Sequence, residues 1–107
     1  MSHKIPKNIL ESAIVEQLKQ IFDPEIPVDI YNLGLIYDII IDDDYNVQVV
    51  MTLTAPNCPV ADSLPEEVKT RVAATYGVKS AEVKLTFDPT WTKDFMSEEA
   101  KLMLGMM

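Results

Sequence analysis

Hydrophobic residues near the N-terminus recur at helical spacing. The positions three or four apart are Leu10, Ile14, Leu18 and Ile21. This spacing places them on one face of a helix. Asn8 and Glu11 resemble a capping box, and Pro24 ends the pattern because the residue before a proline avoids the α region. The sequence predicts a first helix over residues 9–22, preceded by a mobile tail at residues 1–7.

Two segments rich in β-branched and aromatic residues follow, at 35–41 and 47–54. Gly34 before the first allows a positive φ, and the polar stretch 42–46 between them is typical of a turn. Because the two segments are close in sequence, an antiparallel hairpin is their simplest connection. Asp29 is expected to cap the short turn at 30–32, and the aspartates of the hairpin turn are interpreted as solvated.

A second helix is predicted to run toward Tyr76 and to end at Gly77, which suits a C′ position. Its apolar stripe consists of Val68, Val72 and Ala73. Its start has two alternatives: Ser63 with Glu66 form a second capping signature, or the helix begins near Pro59 and Pro65 kinks it. Under the second alternative, Cys58 lies at a helix N-terminus.

The remaining chain predicts a third strand and a last helix. Residues 81–87 alternate apolar and polar, which is typical of a half-buried strand, and strand–helix–strand order implies a parallel pair. Ser97 is expected to cap a final helix ending at Gly105. The order is α-β-β-α-β-α, which predicts an α+β two-layer sandwich with a small mixed three-stranded sheet. The 107 residues suit one domain, with its core at about 8–105.

Composition narrows the function classes. Hydrophobic residues are 48% and charged residues 24%, with a net charge of −8, as in an acidic globular protein. An acidic surface repels phosphate, which argues against nucleic acids and anionic membranes as partners. One cysteine, no apolar stretch near 20 residues and a polar N-terminus predict a cytoplasmic protein.

Cys58 is the first candidate for chemistry. It lies in a loop between Pro56 and Pro59, and a following helix N-terminus would favour its thiolate, the form that binds metal or attacks an electrophile. The alternative is a buried thiol that acts as a small apolar residue. No second cysteine forms a C-x-x-C pair, so spacing alone gives a weak metal signal.

Other candidates flank this loop or lie before the hairpin. Asp23 lies at the carboxyl end of the predicted first helix, where a negative charge is unfavourable, and Glu25 follows a proline in a segment with little freedom. Residues in unfavourable local positions are candidates for function. The alternative is that both belong to a solvated turn. The hydroxyls of Thr52 and Thr54 could orient a ligand or the thiol. His3 lies in the predicted tail, which argues against a cysteine–histidine hydrolase.

The C-terminus carries Trp91 and four methionines, at positions 96, 103, 106 and 107. Methionine-rich ends adapt to varied surfaces and can bind partners. The alternative is that Trp91 and Met103 simply cover the sheet, and we favour this for Trp91.

Three sequence blocks, taken together, resemble the SufT-like and PaaD-like iron–sulfur assembly family, also described as domain of unknown function fifty-nine. The resemblance covers about residues 10–105. The blocks are DPEIP at 23–27 with NLGLI at 32–36, MTLTAPNCP at 51–59, and VKLTFDPTWT at 83–92 followed by MSEEA at 96–100.

The resemblance implies a fold related to the carboxyl-terminal domain of NifU-type scaffolds and a role in maturing iron–sulfur proteins. By position, the acidic pair of the family falls on Asp23 and Glu25, its loop threonine on Thr54 and its cysteine on Cys58. Ile26, from the same block as the acids, is expected to line the pocket with Thr52. Asn57 stands where many relatives have glycine, and Pro65 inside the second helix is another departure from the family pattern.

A cluster typically needs four ligands, and one chain offers one cysteine. We therefore expect no tightly held cluster, but a labile iron or cluster ligand at Cys58 with Asp23 and Glu25 beside it. The expected partners are the iron–sulfur assembly machinery and client apo-proteins, and a homodimer would supply two thiols. Two other classes stay open: an adaptor that binds clients without metal, and a small thiol enzyme with Cys58 as nucleophile.

Overall fold

The computed structural model describes residues 5–22, 27–53 and 63–105. Its helices are α1 (Lys7–Leu18), α2 (Ser63–Ala73) and α3 (Glu98–Met103), with a 3-10 turn at Lys93–Phe95. Its strands are β1 (Ile36–Ile41), β2 (Asn46–Met51) and β3 (Ser80–Leu85). The predicted order, α-β-β-α-β-α, is confirmed, and the 3-10 turn is the addition.

The sheet is mixed and has the order β1-β2-β3. β1 and β2 form the predicted antiparallel hairpin, whose register runs from Ile36 opposite Met51 to Ile41 opposite Val47. β2 and β3 are parallel, with α2 as the connection between them. The carboxyl end of β2 therefore lies beside the carboxyl end of β3.

Side-chain alternation divides the sheet into two faces. Val47, Val49 and Met51 of β2 are buried and belong to the same hydrophobic cluster as the helix residues. On the opposite face of β3, Glu82 and Lys84 are exposed. One covered and one solvated face make this a two-layer α+β structure, as the alternation predicts.

The first helix begins earlier than predicted. Pro6 precedes α1 with φ −54°, and its carbonyl accepts hydrogen bonds from Ile9 and Leu10, whereas no side chain caps the helix. The predicted capping box at Asn8 is therefore wrong, because a proline with its fixed φ already starts the helix. Residues 5–7 of the expected tail are also ordered: Ile5 packs against the core, and Lys7 opens α1.

The first helix also ends earlier, at Leu18 instead of residue 22. Its apolar face is as predicted, since Leu10, Ile14 and Leu18 are all fully buried. Ile21 is fully buried as well, but its carbonyl accepts the Ile30 amide at 2.9 Å, so the chain has left the helix before Pro24.

The second helix matches the sequence pattern in part. Val68 and Val72 are fully buried, but Ala73 is exposed, and the stripe gains Leu64 instead. The bounds Ser63–Ala73 agree with the first of the two predicted starts. The alternative start near Pro59 falls outside the described residues.

The C-terminal region follows its capping signals. The Ser97 hydroxyl accepts the Ala100 amide, and Gly105 has φ +68°. Trp91 is partly buried against the core, as favoured, whereas Met103 is exposed and does not cover the sheet. Over residues 5–22, 27–53 and 63–105, no helix has the length and apolarity to cross a bilayer.

Candidate functional site

Most of the predicted site residues fall outside the described ranges. These are Asp23, Glu25, Ile26, Thr54 and Cys58. Thr52 is described, as are the residues that flank segments 23–26 and 54–62: Phe22 and Pro27 for the first, Leu53 and Ser63 for the second. The structure therefore describes the residues around the predicted site, with Thr52 as the predicted site residue among them.

Backbone hydrogen bonds connect the flanks of the two segments. Phe22 pairs with Asp29 across an isolated β-bridge, and the Ile30 amide donates to the Ile21 carbonyl. The Leu35 amide donates to the Ile30 carbonyl at 3.1 Å, and the Leu35 carbonyl accepts the Thr52 amide at 2.8 Å. These hydrogen bonds form a continuous series from the residues after α1 to the residue after β2, so the described residues that precede both segments are connected through the backbone.

The junction loop, residues 29–35, is held by its own polar groups. Asp29 accepts the Asn32 amide at 2.9 Å and the Asn32 side-chain nitrogen at 2.8 Å, which confirms its predicted capping role. Gly34 has φ +83°, and a Cβ there would lie 2.3 Å from the Phe95 carbonyl oxygen. Only glycine suits both the conformation and the space.

Thr52 is fully buried directly after β2. Among the described residues, its Oγ1 is the one buried side-chain oxygen or nitrogen that forms no hydrogen bond. A buried hydroxyl without a partner costs about 1–3 kcal/mol. Thr52 lies six residues before Cys58. Its unpartnered hydroxyl could form a hydrogen bond with a further polar group at this end of the sheet.

Tyr37 lies close to Thr52. The sequence predicts it only as a strand residue. Its phenol donates to the Pro89 carbonyl at 2.7 Å. Burial raises the pKa of Tyr37, and the nearby Thr52 hydroxyl acts against this by stabilising the charged form. The Thr52 hydroxyl is thus near enough to affect the pKa of Tyr37, but it forms no hydrogen bond of normal length and angle. No sequence pattern indicated this, because a register shift between Ile36 and Asp38 re-aims the Tyr37 side chain.

The surface near this end of the sheet carries exposed apolar groups. Leu85, at the carboxyl end of β3, is 38% exposed, and Phe22 is 54% exposed. A shallow groove of about 510 Å³ lies at the start of β1 and is lined by Gly34, Ile36, Tyr37, Pro89 and Phe95.

The polar side chains of the hairpin turn, at the opposite end of the sheet, form local hydrogen bonds. Asp42 accepts hydrogen bonds from the amides of Asp44 and Asn46 and from the Asn46 side chain, which lowers the pKa of Asp42. The interpretation as a solvated turn is correct. In the part of the chain that the structure describes, no three histidine, cysteine, aspartate or glutamate side chains are grouped as metal ligands would be.

Comparison with known proteins gives the family. Residues 11–85 match the model of the iron-sulfur cluster assembly protein family. An Fe-S protein maturation auxiliary factor of Porphyromonas gingivalis is 53% identical over 91% of this chain and 92% of its own length. The Fe-S protein maturation auxiliary factor SufT of Staphylococcus aureus is 42% identical over 80% of this chain and 98% of its own.

A solved structure gives the same result for the fold. A domain of unknown function (number fifty-nine) from Bacillus anthracis superposes with a TM-score of 0.86 at 36% identity, over 94% of this chain and 95% of its own. The resemblance inferred from the three sequence blocks is therefore confirmed. The chain belongs to the iron-sulfur cluster assembly protein family, with a role in the maturation of iron–sulfur proteins.

Proposed function

We propose that this chain is an accessory factor that carries iron or a labile iron–sulfur cluster on Cys58 and passes it to client apo-proteins. The cargo is held briefly and is not a resident cofactor. The assembly machinery and the clients are the partners, and the single cysteine is consistent with the reducing cytoplasm.

The observation that carries the proposal is the unpartnered hydroxyl of Thr52 at the end of β2. Folding leaves it buried without compensation, two residues before Thr54 and six before Cys58. A hydroxyl there can donate to a thiolate or to a sulfide of the cargo, which accept hydrogen bonds as anions. The cost of its burial is then offset when cargo is bound.

The series of hydrogen bonds from Ile21 to Thr52 gives the second support. It connects the flanks of residues 23–26, the acidic segment, to the flank of residues 54–62, the cysteine loop. We therefore propose that Asp23 and Glu25 supply carboxylate oxygens to iron beside the Cys58 sulfur, with Thr54 and Ile26 lining the same pocket. A mixed sulfur and oxygen ligand set is weaker than four thiolates and suits release.

The number of cysteines limits how tightly this chain can hold a cluster. A two-fold dimer offers two cysteines, so a bridged cluster still needs other ligands from a small thiol or from the client. The proposal thus assigns transfer to the chain, with no catalytic step. The relatives at 53% and 42% identity are named as auxiliary factors, which supports a non-enzymatic role.

The experiment is anaerobic reconstitution with iron and sulfide, on wild type and on Cys58→Ser. We expect visible absorption in wild type that is retained through gel filtration and is lost in Cys58→Ser. Thr75→Val is a matched control, because the Thr75 hydroxyl bonds to Arg71 in α2, and it should reconstitute like wild type. Equal colour in wild type and Cys58→Ser overturns the cysteine assignment.

A metal-free adaptor is the second candidate. The last described helix exposes two large apolar side chains, Leu102 at 63% and Met103 at 60%. Colourless wild-type protein that still binds a purified client, and loses it on Leu102→Ser with Met103→Ser, would favour the adaptor over the carrier.

A further inference from the structure

The C-terminal segment, residues 89–97, is bound to the junction loop and to Tyr37. The Trp91 indole nitrogen donates to the Leu33 carbonyl at 2.7 Å. The Ser97 amide donates to the Asn32 carbonyl at 2.8 Å, and the Ser97 hydroxyl bonds to the Asn32 side chain at 2.9 Å. Both ends of the segment are thus fixed to one short loop.

The middle of the segment is in close contact with the same loop. The Phe95 backbone lies against Gly34 with no room for a side chain, and the Phe95 ring meets the Tyr37 ring edge-on, with centroids 5.8 Å apart. Such contact leaves the segment little freedom to shift without moving the loop.

Tyr37 extends this attachment to the end of β2. Its hydroxyl donates to the carbonyl of Pro89, the first residue of the segment, and lies near enough to the Thr52 hydroxyl for that group to act on the pKa of Tyr37. The Thr52 amide is bonded to Leu35 of the junction loop. Two routes therefore lead from the C-terminal segment to Thr52: one through the phenol, and one through the loop backbone.

The position of Thr52 matters because the chain from residue 54 to residue 62, with Cys58 in it, begins two residues later. A displacement of Thr52 would move the last described residues before that segment and would redirect the unpartnered hydroxyl. Three hydrogen bonds and the packing of the Phe95 backbone against Gly34 join the C-terminal segment to the junction loop, so a shift of the segment would also shift the loop residue that bonds to Thr52.

We propose that Tyr37 and Trp91 are positioning residues, through which the C-terminal segment fixes the end of β2 and hence the start of the cysteine loop. The inference rests on the proposed function of Cys58. It adds that cargo handling depends on a segment that is distant from Cys58 in sequence and contributes no ligand.

The test compares Tyr37→Phe and Trp91→Phe with two controls. Tyr37→Phe removes one hydroxyl and keeps the ring contact with Phe95, and Trp91→Phe removes the indole donor. Tyr76→Phe makes the same chemical change as Tyr37→Phe at a side chain that is 86% exposed. Ile14→Val removes one methyl from the core and controls for a general loss of stability.

The measurement is the second-order rate at which iodoacetamide alkylates Cys58 in the folded apo-protein, at one pH, followed by mass spectrometry. We expect Tyr37→Phe and Trp91→Phe to react about two- to tenfold faster than wild type, which is the factor one lost hydrogen bond corresponds to. Tyr76→Phe and Ile14→Val should match wild type. A spectroscopic readout accompanies it: the visible spectrum of the iron- and sulfide-reconstituted variants should differ from wild type only for Tyr37→Phe and Trp91→Phe.

The outcomes separate this inference from the proposed function. Rates and spectra of Tyr37→Phe and Trp91→Phe that equal those of Ile14→Val overturn the positioning role, even when wild type binds cargo. Altered alkylation rates in a protein that never takes up iron and sulfide support the positioning role and overturn the carrier.

Discussion

The two ends of the sheet treat their polar groups in opposite ways. At the hairpin end, Asp42 accepts three hydrogen bonds, the Ser80 hydroxyl bonds to Asn46 at 2.6 Å, and Lys7 pairs with Asp43 at 2.7 Å. At the other end, Thr52 is fully buried, and its hydroxyl forms no hydrogen bond with the described residues. The polar side chains at the hairpin end complete a turn, whereas one buried hydroxyl at the other end has no hydrogen-bond partner in the described part of the chain.

The contrast shows why charge density is a poor guide to the site. Three consecutive aspartates attract attention in the sequence, yet Asp42 is occupied with local backbone amides, as short polar side chains in turns commonly are. Thr52 is a single uncharged residue at a strand end, yet its hydroxyl is the group whose burial needs an explanation. The proposal therefore places the site at the end of the sheet where a buried polar group lacks a partner, and not at the end where charged groups are most abundant.

The largest predicted effect concerns the contact between the junction loop and the C-terminal segment. Gly34→Ala should lower the free energy of unfolding by about 3 kcal/mol or more, since it adds positive-φ strain and a collision with Phe95. Gly105→Ala is the control: it has the same sign of φ but open space around it, and should cost about 1 kcal/mol. Urea unfolding measures both, and equal losses would contradict the close fit at Gly34.

The next effect has the opposite sign. Thr52→Val should raise the free energy of unfolding by about 1–3 kcal/mol, because it removes a buried hydroxyl that has no partner. The same variant should take up less iron and sulfide. Thr86→Val should instead lose about 1 kcal/mol, since the Thr86 hydroxyl bonds to the Asp88 backbone. A destabilised Thr52→Val would show that this hydroxyl is satisfied in the folded protein.

The smallest effect tests the hairpin end by pH. Hydrogen bonds from Asn46 hold the pKa of Asp42 below its ordinary value of 3.8. A depressed pKa contributes stability that is complete above the unfolded pKa and is lost as pH falls through the folded pKa. The stability of wild type relative to Asp42→Asn should therefore decrease as pH falls below 3.8, as followed by urea unfolding at several pH values. A constant difference would argue against the turn bonds.

Much of the fold follows from periodicity. The 3.6-residue pattern gave the buried face of α1, the β-rich runs gave β1 and β2, and Ser97 marked the start of α3. The errors lie where local signals compete: Pro6, not Asn8, starts α1, and the bond from Ile30 to Ile21 ends it early. Leu64 replaces Ala73 in the core because burial depends on what lies opposite a residue, which a single sequence does not contain.

The site was predictable to a lesser degree. Thr52 and Asp29 could be named from their positions at a strand end and before a turn. Tyr37 could not, since its approach to Thr52 depends on the register shift in β1 and on a segment more than fifty residues away. Contacts of that range arise from tertiary packing and leave no periodic trace.

The carrier role of Cys58 is tested most directly by measuring whether iron protects its thiol from alkylation. Wild-type protein is alkylated anaerobically with iodoacetamide before and after addition of ferrous iron and sulfide, and the modified fraction of Cys58 is followed by mass spectrometry. A sulfur that holds the cargo should react at least about tenfold more slowly once iron is present, because the metal occupies the electron pair that attacks the reagent. Equal rates with and without iron would mean that the thiol never binds it, and the carrier role of this chain would be contradicted.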